Sequence, residues 1–392
     1  MGKRKRSDAS AGEANQDQKH LYLVLDDWEK GYSIHRLDDN DEDGHWDWEV
    51  KKKGQRFIVR RKRRCRRRLV KPPLVRLEAS KGSHDPKFGA MVGSKKIVAL
   101  WQPRNRPTRA TVFDAATGAV LPDGPLLPPG DLQHVRFVAA SGDRLYAMHA
   151  GGLHCLEEAS EDDVLGRRFS RGPPDMVDLQ WRWSWARACP PLSQLPNVPW
   201  GPVDILAHAM HPDGRTLFVS ACRFQYNATF SLDVQCQCSG EWTRHGDWLL
   251  PFRGQGIYDT SLDAWVGLHS PGHLCTCRVV SLSGDQQQQP EWELIEAKHL
   301  FLTRPEDDWL RQSLMTLVRL GDAHFCLLEP LTTLGFDVTP KLRIGANYLL
   351  RITKFRLKRG RNGRLRLTPG RVSSRDYKLR KYDLSKLGLS CC

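Results

Sequence analysis

His211-Pro212-Asp213-Gly214-Arg215-Thr216-Leu217-Phe218-Val219-Ser220, then Ala228-Thr229-Phe230-Ser231-Leu232-Asp233, then Gly240-Glu241-Trp242, is the stretch on which the fold turns. A tight Asp-Gly turn opens onto an apolar run, a second run returns, and a Trp marks the exit. Runs of four to eight residues rich in Val, Leu, Phe and Thr, bounded by Gly, Asp or Pro, are the signature of strands joined in hairpins. The same order of parts recurs every 40 to 50 residues or so, the spacing of arrays whose small sheets bury their faces against one another.

Outward from that unit the copies are weaker but ordered alike. Gly93 to Leu100 leads to Ala110 to Asp114, and Ser141 to Met148 leads to Leu153 to Leu156. Ser261 to Leu268 leads to Leu274 to Val280, and Gly321 to Leu328 leads to Tyr348 to Thr353. Leu21 to Leu25 with Tyr32 to Leu37 makes a sixth pair. Helical periodicity is scarce; Pro305 to Leu320, with Leu310, Leu314 and Leu317 at three- to four-residue spacing, predicts the one helix. The expected fold is all-β, a single β-propeller of about six blades, because six units over ~350 residues exceed one sandwich. Residues 20–380 form that propeller, with a disordered basic tail over 1–19, a basic insertion loop over 51–72 and a C-terminal tail over 381–392.

The chain also resembles a known family. Trp242 to Gly256 followed by Leu262 to Leu268, Leu21 to Trp28 with Gly31 to His35, and Tyr348 to Leu357 are similar to the signature of a cereal-plant family, domain of unknown function 1668. The resemblance covers most of residues 20 to 380. It implies a kelch-like propeller in a grass protein and brings no activity with it. Residues 51 to 72 depart from the family pattern, the basic run there looking like an addition.

No apolar stretch approaches the ~18 to 20 residues that span a bilayer, so no membrane partner is expected. Met1 to Asp8 carries charge without a following apolar segment, which argues against a secretory signal and for a nuclear or cytoplasmic location. Reduced thiols are therefore the expectation for the eleven cysteines. Cys236 with Cys238 and Cys275 with Cys277 place two thiols on one face of a strand. Structural zinc pairs usually sit two residues apart in a turn, so core packing is favoured and no metal or other cofactor is expected.

Catalysis finds little support. His208, His211, His245, His269, His273 and His324 mostly fall beside turns, and Asp143 and Asp213 are turn formers. Ser231, Ser261 and Ser270 lack a nucleophile elbow, and no phosphate-cradling or HExxH spacing occurs. No catalytic residue is assigned, and an enzyme with a site in a propeller channel is the least favoured reading.

Two features remain as interaction candidates. Trp181, Trp183 and Trp185, on one face of a strand with Arg182 and Arg187 nearby, are either a recognition stripe or blade-packing anchors. The net charge is +15, and its density peaks in Lys51, Lys52, Lys53, Arg56, Arg60, Arg61, Lys62, Arg63, Arg64, Arg66, Arg67 and Arg68. Lys3, Arg4, Lys5 and Arg6 form a second cluster, and Lys354 to Lys381 a more diluted third. Such runs read as nuclear import signals or as nonspecific nucleic-acid patches, or as loops solvated beside Asp38 to Glu49. The sequence thus predicts a protein-interaction module with an unidentified protein partner, the alternative being RNA or DNA phosphates bound through residues 51–68.

Overall fold

The computed structural model describes residues 20–28, 30–37, 49–53, 56–60, 67–68, 72–78, 87–91, 95–101, 109–121, 137–149, 152–158, 181–187, 203–235, 241–269, 273–282, 288–297, 300, 315–332, 348–379 and 388–391. These residues are all-β with almost no helix. Sheet one pairs β1 (Leu21–Trp28) with β2 (Gly31–Leu37) antiparallel. Next come the hairpin of β3 (Glu49–Lys53) with β4 (Arg56–Arg60) and the short β5 (Arg67–Arg68), before β6 (Val75–Glu78) completes the outer side of β2. Sheet two is the meander β7 (Lys87–Met91), β8 (Lys96–Trp101), β9 (Arg109–Asp114) and β10 (Val120–Leu121). Sheet three repeats it with β11 (Phe137–Ser141), β12 (Arg144–His149), β13 (Gly152–Glu158) and β14 (Trp181–Arg187).

Sheet four holds β15 (Asp204–Met210), β16 (Thr216–Arg223), β17 (Tyr226–Asp233) and β18 (Thr243–Gly246). Sheet five holds β19 (Gly254–Asp259), β20 (Ala264–Leu268), β21 (Leu274–Cys277) and β22 (Trp292–Ile295), and a parallel pairing of β15 with β19 joins the two sheets. Sheet six is β23 (Thr316–Gly321), β24 (His324–Thr332), β25 (Tyr348–Arg359) and β26 (Leu365–Leu379), with β5 added along the outer edge of β26. The last strand, β27 (Gly388–Cys391), returns to sheet one and pairs with β1, Leu21 lying opposite Cys391.

Alternation along each strand sends successive side chains to opposite faces, and here both faces are buried. On β16, Leu217 and Val219 pack with Tyr146, Met148 and Leu153 of sheet three, while Phe218 packs with Trp265 and Cys275 of sheet five. The same division repeats around the chain. Ile34 of sheet one meets Ile97 and Phe113 of sheet two; Val98 and Val112 of sheet two meet Leu145 and Leu156 of sheet three; Val266 and Leu274 of sheet five meet Phe325 and Phe355 of sheet six. A further cluster brings Cys326, Leu328, Leu350 and Ile352 of sheet six onto Leu21, Leu23 and Leu25 of sheet one.

The turns are built by short polar side chains. Asp213 accepts hydrogen bonds from the Arg215 and Thr216 amides, each at 2.9 Å, and from Thr216 Oγ1 at 2.7 Å, beside Gly214 at φ 70°. Asp114 does the same for Ala116 and Thr117. An Asp before a Gly of positive φ is the expected chemistry of a tight turn.

Two expectations need correction. Thr316 to Leu320 is not helical but belongs to β23, paired antiparallel with β24; its Thr, Leu and Val side chains favour a pleated surface, and Gly321-Asp322 turns the chain back. Leu310 and Leu314 lie outside the described residues. The segment read as a loop over 51–72 contains β4 and β5 and most of β3, because Arg56-Phe57-Ile58-Val59-Arg60 is itself a strand-forming run. The tail over 1–19 and residues 381–387 lie outside the described residues.

Candidate functional site

The segment Trp248 to Leu268, which carries most of the family resemblance, is filled by packing. The Phe252 ring lies flat on two glycines: a Cβ at Gly256 would stand 2.2 Å from its Cζ, and one at Gly267 2.5 Å from its Cβ. Trp265 is fully buried and its Nε1 donates to Met210 O of sheet four at 2.9 Å. A directional chain ties the segment that leads from β18 to β19 onto sheet four: the Leu250 amide donates to Ser220 Oγ, Ser220 to Thr229 Oγ1, and Thr229 to Trp248 O.

Asp259 ends β19 with no exposed surface. Its carboxylate receives Ser261 Oγ at 2.6 Å, the Ser261 and Leu262 amides, and from sheet six both Arg319 Nε at 2.7 Å and the Ala323 amide at 2.9 Å. Burial pushes the carboxyl up, but the bonds from Ser261 and Arg319 outweigh that and hold it below the ordinary range. It is a pin between sheets, with its oxygens already engaged.

The pair with the geometry of a nucleophile and base is Ser231 and His245, hydrogen-bonded at 2.8 Å. Both are 6% exposed, and the Phe218 ring lies 5.0 Å from the imidazole. Desolvation keeps His245 below its ordinary pKa, as expected for a packed, neutral ring. Cys275 and Cys277 are buried with no exposed surface, and burial raises both thiols, Cys277 to about 12. That suits inert core residues rather than thiolate ligands. Cys236 and Cys238 both lie outside the described residues, and no group of metal-ligating side chains occurs among those described.

Of the interaction candidates, Trp181, Trp183 and Trp185 lie on β14 opposite Glu158, Leu156 and His154. Leu156 and His154 are buried, but the side chains of the three tryptophans lie outside the described part of the structure. Lys3, Arg4, Lys5, Arg6, Arg61, Lys62, Arg63, Arg64 and Arg66 are outside the described residues, whereas Arg60 closes β4 opposite Glu49. Arg67 and Arg68 form β5 and pair with Tyr377 and Lys378. The structure therefore brings part of the first basic run against the third, two clusters some three hundred residues apart in sequence.

That edge of sheet six is densely cationic. On β25 the alternation places Lys354, Arg356 and Lys358 on one face, with His324 of β24 opposite Arg356 and Arg366 of β26 opposite Lys358. A bulge between the Phe355 and Leu357 pairings takes up Pro369 and Gly370, the latter at φ 70°, and brings Arg371 beside His324. Burial lowers the His324 pKa, and Arg356 and Arg371 lower it further, partly opposed by Asp322 and Asp259. The hairpin tip Arg359 to Arg364 is fixed by Gly360 N donating to Arg364 O at 2.8 Å, by Arg364 N donating to Asn362 Oδ1 at 3.2 Å, and by Gly363 at φ 78°. Arg359 donates to the carbonyls of Leu262 and Gly363, and Arg364 lies 3.6 Å from Glu293. Among the described residues, Arg356, Lys358, Arg361, Arg366 and Arg371 enter no ion pair. Sequence reading passed over this hairpin, although Asn362-Gly363 between alternating runs is a hairpin signal.

The family described as a protein of unknown function (DUF1668) matches residues 18–375. The chain belongs to that family. No curated protein matches it. Similar solved structures include a candidate 6-phosphogluconolactonase from Bacteroides fragilis, at 11% identity and TM-score 0.42 over 96% of this chain and 99% of that one. AztD from Citrobacter koseri matches at 10% identity and TM-score 0.39 over 95% and 98%, and TolB from Acinetobacter baumannii at 12% and 0.36 over 92% and 66%. Likenesses this distant decide neither architecture nor activity.

Proposed function

We propose that this DUF1668 chain is a six-bladed, kelch-like β-propeller that acts as a non-enzymatic binding module for a protein partner, in the nucleus or cytoplasm. The propeller reading is supported by the six packed clusters between successive sheets, the last joining sheet six to sheet one, and by β27 completing sheet one. The observation that carries the binding-module reading is the commitment of the chemically capable groups to packing. Asp259 pins sheets five and six, and Ser231, His245, Cys275 and Cys277 are sealed at the joint of sheets four and five. A scaffold whose polar interior is engaged in this way presents its outer surface to partners instead of a reaction centre.

A second reading, phosphate binding by the basic segments, is favoured by β5, which lays Arg67 and Arg68 along the cationic edge of sheet six. One experiment separates the two. The tagged chain and a version with the cations of Lys51 to Arg68 neutralised are localised in cells and purified with nuclease treatment. The binding-module reading expects a protein to stay with both forms after nuclease, with nuclear signal lost in the variant. Partners that vanish on nuclease treatment overturn it and favour the second reading.

A further inference from the structure

Sheet six carries a surface that the basic run at 51–68 does not account for. The exposed cations Arg356, Arg361, Arg366 and Arg371 and the half-buried Lys358 stand on the β25–β26 hairpin, and among the described residues none is matched by a carboxylate. Three nearby acids are engaged elsewhere, Asp259 with Arg319, Asp322 with Arg319 at 3.0 Å, and Glu293 with the Leu365 amide at 3.0 Å; Glu296, whose backbone bridges to Arg366, is exposed and forms no ion pair with it. The strands are rigid, the tip is closed by its own hydrogen bonds, and Arg359 is anchored on Leu262 of sheet five, so the charges are held in position rather than carried on a free tail.

We infer that the basic face of the β25–β26 hairpin, built by Arg356, Lys358, Arg366 and Arg371, is a docking surface for the phosphate backbone of double-stranded DNA. This rests on the nucleic-acid reading above and places its main contacts in sheet six. Charge decides the ligand class: unpaired guanidinium groups on a fixed surface gain by displacing the counterions of a polyanion. Single strands are bound largely by stacking bases on aromatic rings. The exposed positions of this face carry no Phe, Tyr or Trp, the exposed ring there being the His324 imidazole set between Arg356 and Arg371, and Phe355 is buried on the opposite side, which favours a duplex read by its backbone alone. The import reading of the basic segments puts the chain where duplex DNA is the abundant polyanion. Binding of this kind is insensitive to base sequence and steeply dependent on salt.

The test measures affinity of the full chain for a 20-base-pair duplex across a salt series. Three proteins are compared: wild type, R356Q/K358Q/R366Q/R371Q, and a variant with the cations of Lys51 to Arg68 replaced by Gln. Each lost phosphate contact makes the slope of log affinity against log salt shallower by about 0.9, so the hairpin variant is expected to lose about 3 to 4 in slope. Wild-type slope in the hairpin variant, with binding abolished in the 51–68 variant, overturns this inference and leaves the broader reading standing. No binding by wild type overturns both. Equal affinity for a single strand of the same charge also overturns the duplex assignment. A circular dichroism spectrum and melting temperature like wild type show that the hairpin variant is folded, which removal of exposed charges should not disturb.

Discussion

Asp259 is the residue on which the joint between sheets five and six depends. It meets Arg319 and the Ala323 amide across the joint while also capping its own turn, so its removal leaves the Ala323, Ser261 and Leu262 amides without their acceptor and the half-buried Arg319 held by Asp322 alone. Leaving a buried donor unsatisfied costs about 1 to 3 kcal/mol, and Asp259→Ala should destabilise by at least that order in urea unfolding; a loss within 0.5 kcal/mol would show that water replaces it. His208 offers a pH signature. Burial lowers its pKa from 6.5 to about 4, so the folded state holds the neutral ring while the unfolded chain protonates first. The contribution is complete above pH 6.5 and is lost as pH falls toward 4, worth about 3 kcal/mol in all. His208→Gln should flatten that acid limb of the stability curve, and an unchanged limb would assign it to other groups. At Gly267 the argument is steric: with a Cβ 2.5 Å from Phe252, Gly267→Ala overpacks and should cost about 1 to 3 kcal/mol, less when Phe252 is also shortened.

At the level of elements, the strand pairs were legible because each had a turn of Asp and Gly at one end and a β-branched or aromatic run behind it. Asp213-Gly214 before Thr216 to Ser220 is the clearest case, and β16 follows it. Legibility failed where local and tertiary signals diverged. Leu310, Leu314 and Leu317 fall at helical spacing, yet Leu317 lies in a strand because β24 offers it backbone partners and a core against sheet five. The basic run hid strands because the β-prone triplet Phe57, Ile58 and Val59 is short and uninterrupted, with no period-two alternation to set it apart from the charges on either side. The cations of Lys354 to Lys381 stand out in the sequence only as a diluted cluster, because they are spread along two strands and only pairing across the Asn362-Gly363 turn gathers them onto one face. That turn can be tested alone. Gly363 holds φ 78°, where a side chain costs about 1 to 2 kcal/mol, so Gly363→Ala should loosen the tip and speed amide exchange at Gly360 and Arg364, leaving β16 and β17 untouched.

For the molecule as a whole, a closed ring of six sheets and a curved array with two ends differ in their cooperativity. In an array each unit leans on its neighbours only, and the terminal units fray first. In a ring there are no terminal units, because the chain ends are stitched into one sheet, as β27 beside β1 and the cluster of Leu23 with Leu328 and Ile352 suggest by their placement. Leu23 and Leu217 are matched probes, both fully buried leucines between sheets, one where the ends meet and one between sheets three and four. Truncating either to Ala should cost about 2 to 5 kcal/mol. A ring predicts the same behaviour from both: one calorimetric transition, shifted down, with calorimetric and van't Hoff enthalpies still equal. An array predicts that Leu23→Ala alone splits off an early, small transition from the sheets near the chain ends. Two transitions in that variant, with one in Leu217→Ala, would exclude the ring and with it the six-bladed propeller.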